Sequence, residues 1–558
     1  MLCPLTVLRW LGPLTPDGDS AASRQWIAKA RAARNSFKRN MHAITVKELV
    51  VVLCISTAVF HFARPITSLF MSEEDFGRRR KAWYALTCAF FLAPNFWIFS
   101  LIAALVLIFA AKKDSNPVAL YLLVLRATPP AAEPVPMIGM SFLFNLDMNL
   151  LLSFCILVPT AWRLMRSAPD VHHRRLKVLD LSLAAYGILT SILYVRLQDS
   201  SGALYPITFT DCLRRAFVFF FAVFVPYYVI SRSTARRAAL TEALAAFCLS
   251  GALMAATAIF ESLRHWLLYA EVPGFWGITA TTYIMRGDSI RAMASTGHPL
   301  SLGYLLAIAF GFWLFLQSNV ASARRRTLVS VLFWCGLFAA YSRGPWIGAV
   351  AIYFFFALLS PNGIRRVLRA TPLFAGILAV ISVTPLADRI IRVMPFLGGT
   401  LGSGNIEYRQ RLFDRSWELI KQSPIFGDQA ARLKMQDLRQ GEGIIDMINA
   451  YMQILLDNGF VGLFLFLSFI LVATYKAFLV IRRLARTDPS TAQLGASLVA
   501  CTLGTLLMIE NGGCDDVMIG MLGGLMAAYV CACGSQMIPA RTLVAQPRLK
   551  VTSNRTSG

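Results

Sequence analysis

The sequence predicts an all-α protein, a polytopic transmembrane helical bundle of about 12–14 helices with one large outer loop. Three observations carry that expectation. Hydrophobic residues fill 56% of the 558 positions and charged residues 15%, well below the roughly 25% charged content of soluble domains. Apolar runs of about 20 residues, the length that crosses a bilayer core, recur at 49–70, 89–111, 240–260, 300–316 and 450–480. Basic residues gather in the short gaps between such runs.

That placement decides what the net charge of +24 means. A nucleic-acid binder concentrates cations on one face. Here Arg163, Arg166, Arg174, Arg175 and Lys177 fill one gap, and Arg232, Arg236 and Arg237 the next. Arg324 to Arg326, then Arg365, Arg366 and Arg369, then Lys476, Arg482, Arg483 and Arg486 continue the series. Excess Lys and Arg beside membrane spans marks the cytoplasmic side, so the charge orients the chain and no nucleic-acid partner is expected.

Taken in order, residues 1–48 read as a basic cytoplasmic arm and 49–385 as the main bundle. Residues 386–449 form the large outer loop, 450–533 the C-terminal helices and 534–558 a basic cytoplasmic tail. Walking back from the tail, 510–516 face out, 476–486 in, 386–449 out, 365–369 in, 342–345 out, 324–326 in and 262–297 out. In the first third the arm and Arg78 to Lys81 are both basic, yet only 49–70 separates them. Either that span is re-entrant, or a short crossing broken by Pro129 and Pro130 lies within 117–137; the second is the expectation, giving both ends inside. Most of the 11 cysteines lie within apolar runs, where Cys behaves as a small hydrophobe. The first 14 residues resemble a signal peptide only weakly and lack a clear cleavage site.

Four outward stretches hold candidate chemistry. Residues 286–303, R-G-D-S-I-R-A-M-A-S-T-G-H-P-L-S-L-G, bring Arg286, Arg291 and His298 to a span boundary, with Trp266, Tyr269, Trp276 and Tyr283 nearby. Arginines suit phosphate and flat rings suit sugar faces; the alternative is an interfacial aromatic belt with snorkelling arginines. Residues 341–345, Y-S-R-G-P, place Arg343 at the interface, as a site residue or as a structural or snorkelling cation. Residues 407–423 read as an amphipathic helix with Phe413, Trp417 and Ile420 on one stripe. Arg409 shares that stripe, which is expected to dock on the bundle. Glu407 and Arg411 accompany it, while Arg415 pairs with Glu418 as a solvated residue. Residues 444–463 place Asp446, Asn449 and Tyr451 where the loop re-enters the membrane, with Asn449 as either a ligand or a helix N-cap. No phosphate-binding glycine loop, zinc spacing or nucleophile elbow is present. Asp515-Asp516 alone makes a weak metal site, so neither metal nor other cofactor is expected.

Together these stretches resemble the O-antigen ligase and Wzy-type polysaccharide polymerase superfamily. The carriers are R-A-M-A-S-T-G-H-P-L-S-L-G, Y-S-R-G-P-W-I-G, E-Y-R-Q-R-L-F-D-R-S-W-E-L-I-K-Q-S-P-I-F-G and N-A-Y-M-Q-I-L-L-D-N-G-F-V-G-L, in that order over about residues 240–475. The resemblance implies an inner-membrane glycosyltransferase whose donor is an undecaprenyl diphosphate-linked oligosaccharide and whose loop faces the periplasm. It gives Arg409 or Arg411 the diphosphate, supported by Arg291, with Arg286, Arg343, Asn449, Tyr451 and Trp276 as further substrate contacts. An acceptor glycan, the bilayer, and chain-length regulator or flippase proteins are the implied partners. Ligases carry His-Asn where this chain has Ile448-Asn449, and isoleucine takes no proton. The general base would then be His298, Glu407 or Asp446, which tilts the expectation toward a polymerase, with O-antigen ligase the alternative. A transporter or flippase is the rival from another class; Asn145, Asp147 and Asn149 at a span edge are its best support.

Overall fold

The computed structural model describes residues 45–139, 141–166, 172–198, 207–278, 285–286, 289–361, 363, 403–439, 445, 447, 449–510, 512–513 and 516–534. Helices dominate, and ten of them are long and apolar enough to cross a membrane among the described residues. The first is α1 (Thr45–Thr67), followed by α2 (Glu73–Leu92), α3 (Phe96–Lys113) and the short α4 (Pro117–Val124). Strands β1 (Ala132–Pro134) and β2 (Asn145–Asp147) pair antiparallel, Ala132 opposite Asp147. Next come α5 (Met148–Arg166), α6 (His172–Tyr194), α7 (Phe209–Ser233) and α8 (Arg237–Arg264). Then follow α9 (Pro299–Leu316), α10 (Ala323–Ala339), α11 (Arg343–Leu359), α12 (Ser403–Gln422), α13 (Ala450–Leu484), α14 (Pro489–Ile509) and α15 (Asp516–Gly534).

Helices α8, α9, α14 and α15 are buried almost throughout and form the centre, while α1, α3 and α6 are mostly exposed and ring it. An apolar helix exposed on its outer side is what a hydrocarbon solvent allows.

The bundle has two chemically distinct ends. At one, the buried Arg79 of α2 forks onto Asp114, with Nε to Oδ2 at 2.9 Å and Nη2 to Oδ1 at 2.6 Å, and also reaches Glu242 of α8 at 2.8 Å. Arg237 meets Asp488 there at 3.1 Å. At the other end lie Trp266, His298 and the start of α15.

The short crossing expected within 117–137 is present. Asn116 donates to Ala239 O at the Arg79 end, α4 is buried from Val118 to Val124, and the chain emerges at β1 near the His298 end. Trp266 Nε1 donates to Glu48 at 3.3 Å, so α1 begins at the His298 end, while α15 finishes near Arg237 and Asp488. The two ends of the described chain therefore lie at opposite ends of the bundle, and the expected placement of both chain ends on one side falls on residues outside the described ones. Residues 1–44 lie outside the described residues.

Two helices carry π-turns, Ser153–Leu157 in α5 and Phe220–Phe224 in α7. Pro159 and Pro226 explain them: neither can donate to the carbonyl four residues back, so the ladder widens. The two π-turns face each other, with Ser153 Oγ donating to Phe221 O at 3.2 Å.

Helix α13 breaks at Gly459 (φ 65°, ψ −169°), a conformation open essentially to glycine alone. The break seats residues 424–428. Phe460 N donates to Pro424 O, Val461 N to Ile425 O and Asp428 N to Leu456 O. A Cβ on Gly459 would lie 2.3 Å from Ile425 O. Two sequence motifs, S-P-I-F-G and D-N-G-F-V-G, thus meet backbone to backbone.

Candidate functional site

The site is built from the segment between α8 and α9. Glu261, fully buried near the end of α8, accepts three backbone N–H groups: Leu268 (3.0 Å), Met293 (3.0 Å) and Ala294 (2.8 Å). Ala294 and Gly297 take positive φ, 47° and 73°. A Cβ on Gly297 would sit 2.8 Å from Pro130, so glycine lets the segment lie against the crossing that follows α4. Ser295 Oγ donates to Arg126 O across the same contact. Ala292 N donates to Ala339 O, tying the segment to the α10–α11 turn as well.

These ties place His298 as the N-cap of α9. Its Nδ1 accepts Leu300 N at 3.2 Å, which assigns the ring proton to Nε2. Burial, and then the nearby Arg291 charge, push its pKa down from 6.5 to about 4. A neutral ring with its proton on Nε2 donates a hydrogen bond and does not accept a proton there. His298 thus holds Nδ1 in the helix cap and leaves Nε2–H as its remaining polar group.

His298 lines a cavity of about 580 Å³ at this end of the bundle, together with Arg126, Asp147, Asn149, Tyr304 and Asp516. The π-turn of α7 contributes Phe221 and Ala222 to its wall. Asp147 caps α5 by accepting Leu150 N at 2.8 Å, and Asn149 Nδ2 reaches its other oxygen at 3.3 Å. Burial raises the Asp147 pKa, opposed by those hydrogen bonds and by the Arg126 charge. A carboxylate with a raised pKa is a better proton acceptor than an ordinary one. Asp147 and Asn149, two of the three residues that gave the transporter reading its support, thus stand beside a histidine and an arginine in one hollow. Tyr304 OH donates to Met508 O at 2.6 Å, fixing the floor.

A smaller cavity of about 110 Å³ shares Asp516 with the first and runs on to Gln429, Gln453, Asp457 and Asn458. Asp457 pairs with Arg432 at 2.5 Å, and Gln429 Nε2 donates to Asn458 Oδ1 at 2.9 Å. Another cavity of about 580 Å³ opens between α1, α8, α9 and α10, but its lining is almost wholly apolar.

The other expected site residues fall elsewhere. Arg291 and Arg343 are half-buried near the same end, Arg291 close enough to His298 to depress its pKa. Trp276 is a packing residue: its ring stacks on Phe99 at 5.3 Å and its Nε1 donates to Ala93 O. Asn449 takes the N-cap role, accepting Tyr451 N and Met452 N, and Tyr451 OH donates to Leu506 O. Arg415 pairs with Glu418 at 2.9 Å, as the helical spacing implied. Arg409, Arg411 and Glu407 are exposed on α12, with Arg411 and Glu407 3.8 Å apart, and none of the three lines the cavity. The docking face of α12 is Tyr408, Leu412, Leu419 and Ile420, so Phe413 and Trp417 do not dock on the bundle with Ile420 as expected. Arg286 lies in a two-residue strand at 285–286; its side chain, like Asp446 and Ile448, lies outside the described residues.

Residues 328–467 match a family described as O-antigen ligase. That match supports membership of the O-antigen ligase-like superfamily. The matched part runs from α10 through α12 to the first half of α13, and so includes the Gly459 break and the Gln429 to Asn458 wall of the smaller cavity. His298, Arg126, Asp147 and Asp516 lie outside it. No curated protein matches the chain. The match and the ten apolar spans among the described residues support a multi-pass membrane protein with a glycan-handling function of that family.

Sequence reading missed Glu261, Arg126 and the role of Asp147. Glu261 had a usable signal, since a carboxylate inside an apolar run must find buried donors. Arg126 and Asp147 had none, because their partners lie far along the chain.

Proposed function

We propose that the chain is a glycan polymerase of the membrane, transferring glycan from a polyprenyl diphosphate-linked donor to an acceptor sugar in the cavity at the His298 end. The observation that carries this reading is the convergence of Arg126, His298 and Asp147 in one hollow, joined through Asp516 to a wall from the family-matched segment. The acceptor hydroxyl oxygen attacks the anomeric carbon of the donor sugar. The bond from that carbon to the diphosphate breaks, and the polyprenyl diphosphate leaves with the electron pair. Asp147 takes the hydroxyl proton. Arg126, with the Arg291 charge behind His298, opposes the negative charge that grows on the leaving group, where such stabilisation counts most. His298 donates from Nε2 to a donor or acceptor oxygen.

Positive residues at the Arg79 end support a cytoplasmic placement of that end and an outward, periplasmic placement of the cavity in a bacterial inner membrane. Arg409 and Arg411 stand on the loop above, suited to guiding the anionic donor in.

The acceptor separates polymerase from ligase. Ile448, in place of the histidine that ligases carry, favours polymerase; the description of the matched family favours ligase as the second reading. A deletion strain that loses long repeats supports the first, and one that loses glycan on lipid A-core supports the second.

Protein reconstituted with a lipid-linked repeat unit tests the reaction itself. Glycan should lengthen with or without EDTA, and Asp147→Asn, which keeps the helix cap, should abolish lengthening. Transfer by Asp147→Asn at the wild-type rate would remove Asp147 as the base.

A further inference from the structure

We propose that α12 lies in the plane of the bilayer surface, with its Phe413–Trp417 edge sunk into the headgroup boundary of the lipid leaflet at the His298 end. Advancing about 100° per residue, the helix divides into three sectors. Tyr408, Leu412, Leu419 and Ile420 face the protein and pack against Met452, Leu455 and Leu456 of α13. The next sector holds Phe413 and Trp417, 51% and 38% exposed, their rings parallel within 7° and 6.4 Å apart. The remaining sector is polar, with Glu407, Gln410, Asp414, Glu418 and Lys421 exposed. Protein, aromatic edge and water-facing side follow one another around the helix. That is the order needed by a helix lying flat on a membrane against a transmembrane neighbour.

The aromatic edge does not end with the helix. The chain runs on into Ile425 and Phe426, 59% and 47% exposed. Pro424 and Ile425 accept the amides of Phe460 and Val461, so this segment is fixed at the residue where α13 resumes beyond its break. From there the exposed apolar surface continues along α13 as Phe460 and Phe464, 50% and 69% exposed, and farther down as Leu471 and Tyr475. An exposed surface along a membrane-crossing helix faces hydrocarbon, and the α12 edge is its continuation to the interface. Tryptophan and long cationic side chains settle at that level. Arg409, one turn before Phe413, stands where it meets lipid phosphates. The occupant is the lipid surface, whatever reaction the cavity performs.

The test uses the full chain in nanodiscs, reading tryptophan emission of the wild type minus that of Trp417→Phe. The Trp417 signal should be lost when the phosphatidylcholine and phosphatidylglycerol acyl chains are brominated and kept when iodide is added to the water. A second reporter, Phe413→Trp in the Trp417→Phe background, should behave in the same way. Quenching of both by iodide and of neither by bromolipid would overturn the proposal. So would protection of the signal from iodide by added oligosaccharide, since the ring pair would then be a sugar platform.

Discussion

Replacing Glu261 should loosen one segment far more than the rest of the protein. Its carboxylate takes the amides of Leu268, Met293 and Ala294, and it is wholly buried. Glu261→Ala strands three buried N–H groups at about 1–3 kcal/mol each, so about 3–9 kcal/mol in all before any cavity term. Glu261→Gln keeps one oxygen, which can serve Met293 and Ala294 together, and turns an amide N–H toward the Leu268 N–H. That strands one backbone donor and should cost about 1–3 kcal/mol. Local opening reads this directly through hydrogen exchange. With about tenfold per 1.4 kcal/mol, the Gln variant should speed exchange of the Leu268 amide by roughly five- to a hundredfold while sparing Met293 and Ala294, and the Ala variant, which strands those two amides as well, should speed exchange at 291–298 by at least about twentyfold. Leu244→Ala, a core truncation elsewhere on α8, controls for general destabilisation. Unchanged protection of the Met293 and Ala294 amides in Glu261→Ala would refute the assignment of Glu261 as the support of the His298 segment.

Other outcomes follow from the same structure. Gly459→Ala should prevent stable assembly of the 424–428 contact, because its Cβ would meet Ile425 O at 2.3 Å in a backbone conformation alanine avoids; proteolysis after the α12 segment, faster in the variant, measures it. Arg79→Met should destabilise by about 3–5 kcal/mol by leaving Asp114 and Glu242 without their buried cation, read as a lower detergent-unfolding midpoint. His298 supplies a pH dependence. Its folded pKa of about 4 lies below the ordinary 6.5, so between those values the unfolded chain binds the proton and the folded one does not. Its effect on stability is absent above 6.5 and becomes increasingly unfavourable as pH falls toward 4. His298→Asn, able to cap the same helix, should flatten the fall in unfolding midpoint from pH 7 to 5; an identical slope would count against the buried neutral ring.

Much of this fold could be read along the chain because hydrocarbon and its boundary act on local runs. The main spans, the short crossing near Pro129 and Pro130, the Arg415–Glu418 pair and the cap at Asn449 all depend on neighbours within one or two turns. The cavity could not be read, since Arg126, Asp147, His298 and Asp516 come from four separate segments. Helical arithmetic put Arg409, Phe413 and Trp417 on one stripe correctly. It could not say which sector α13 would cover, and the covered sector proved to be the adjacent one. Arg79 looked like an orienting charge of the basic gap and is also a buried tie, because two carboxylates far apart in sequence converge on it.

Substrate occupancy of the cavity is tested most directly by photocrosslinking. A benzophenone amino acid at Ser301, on the cavity wall, should form an adduct with a lipid-linked oligosaccharide donor in nanodiscs, and excess unlabelled donor should suppress it. The same probe at Phe62, in the apolar cavity beside α1, should capture no glycan. Labelling absent from Ser301 under conditions that support transfer would contradict the placement of the reaction there.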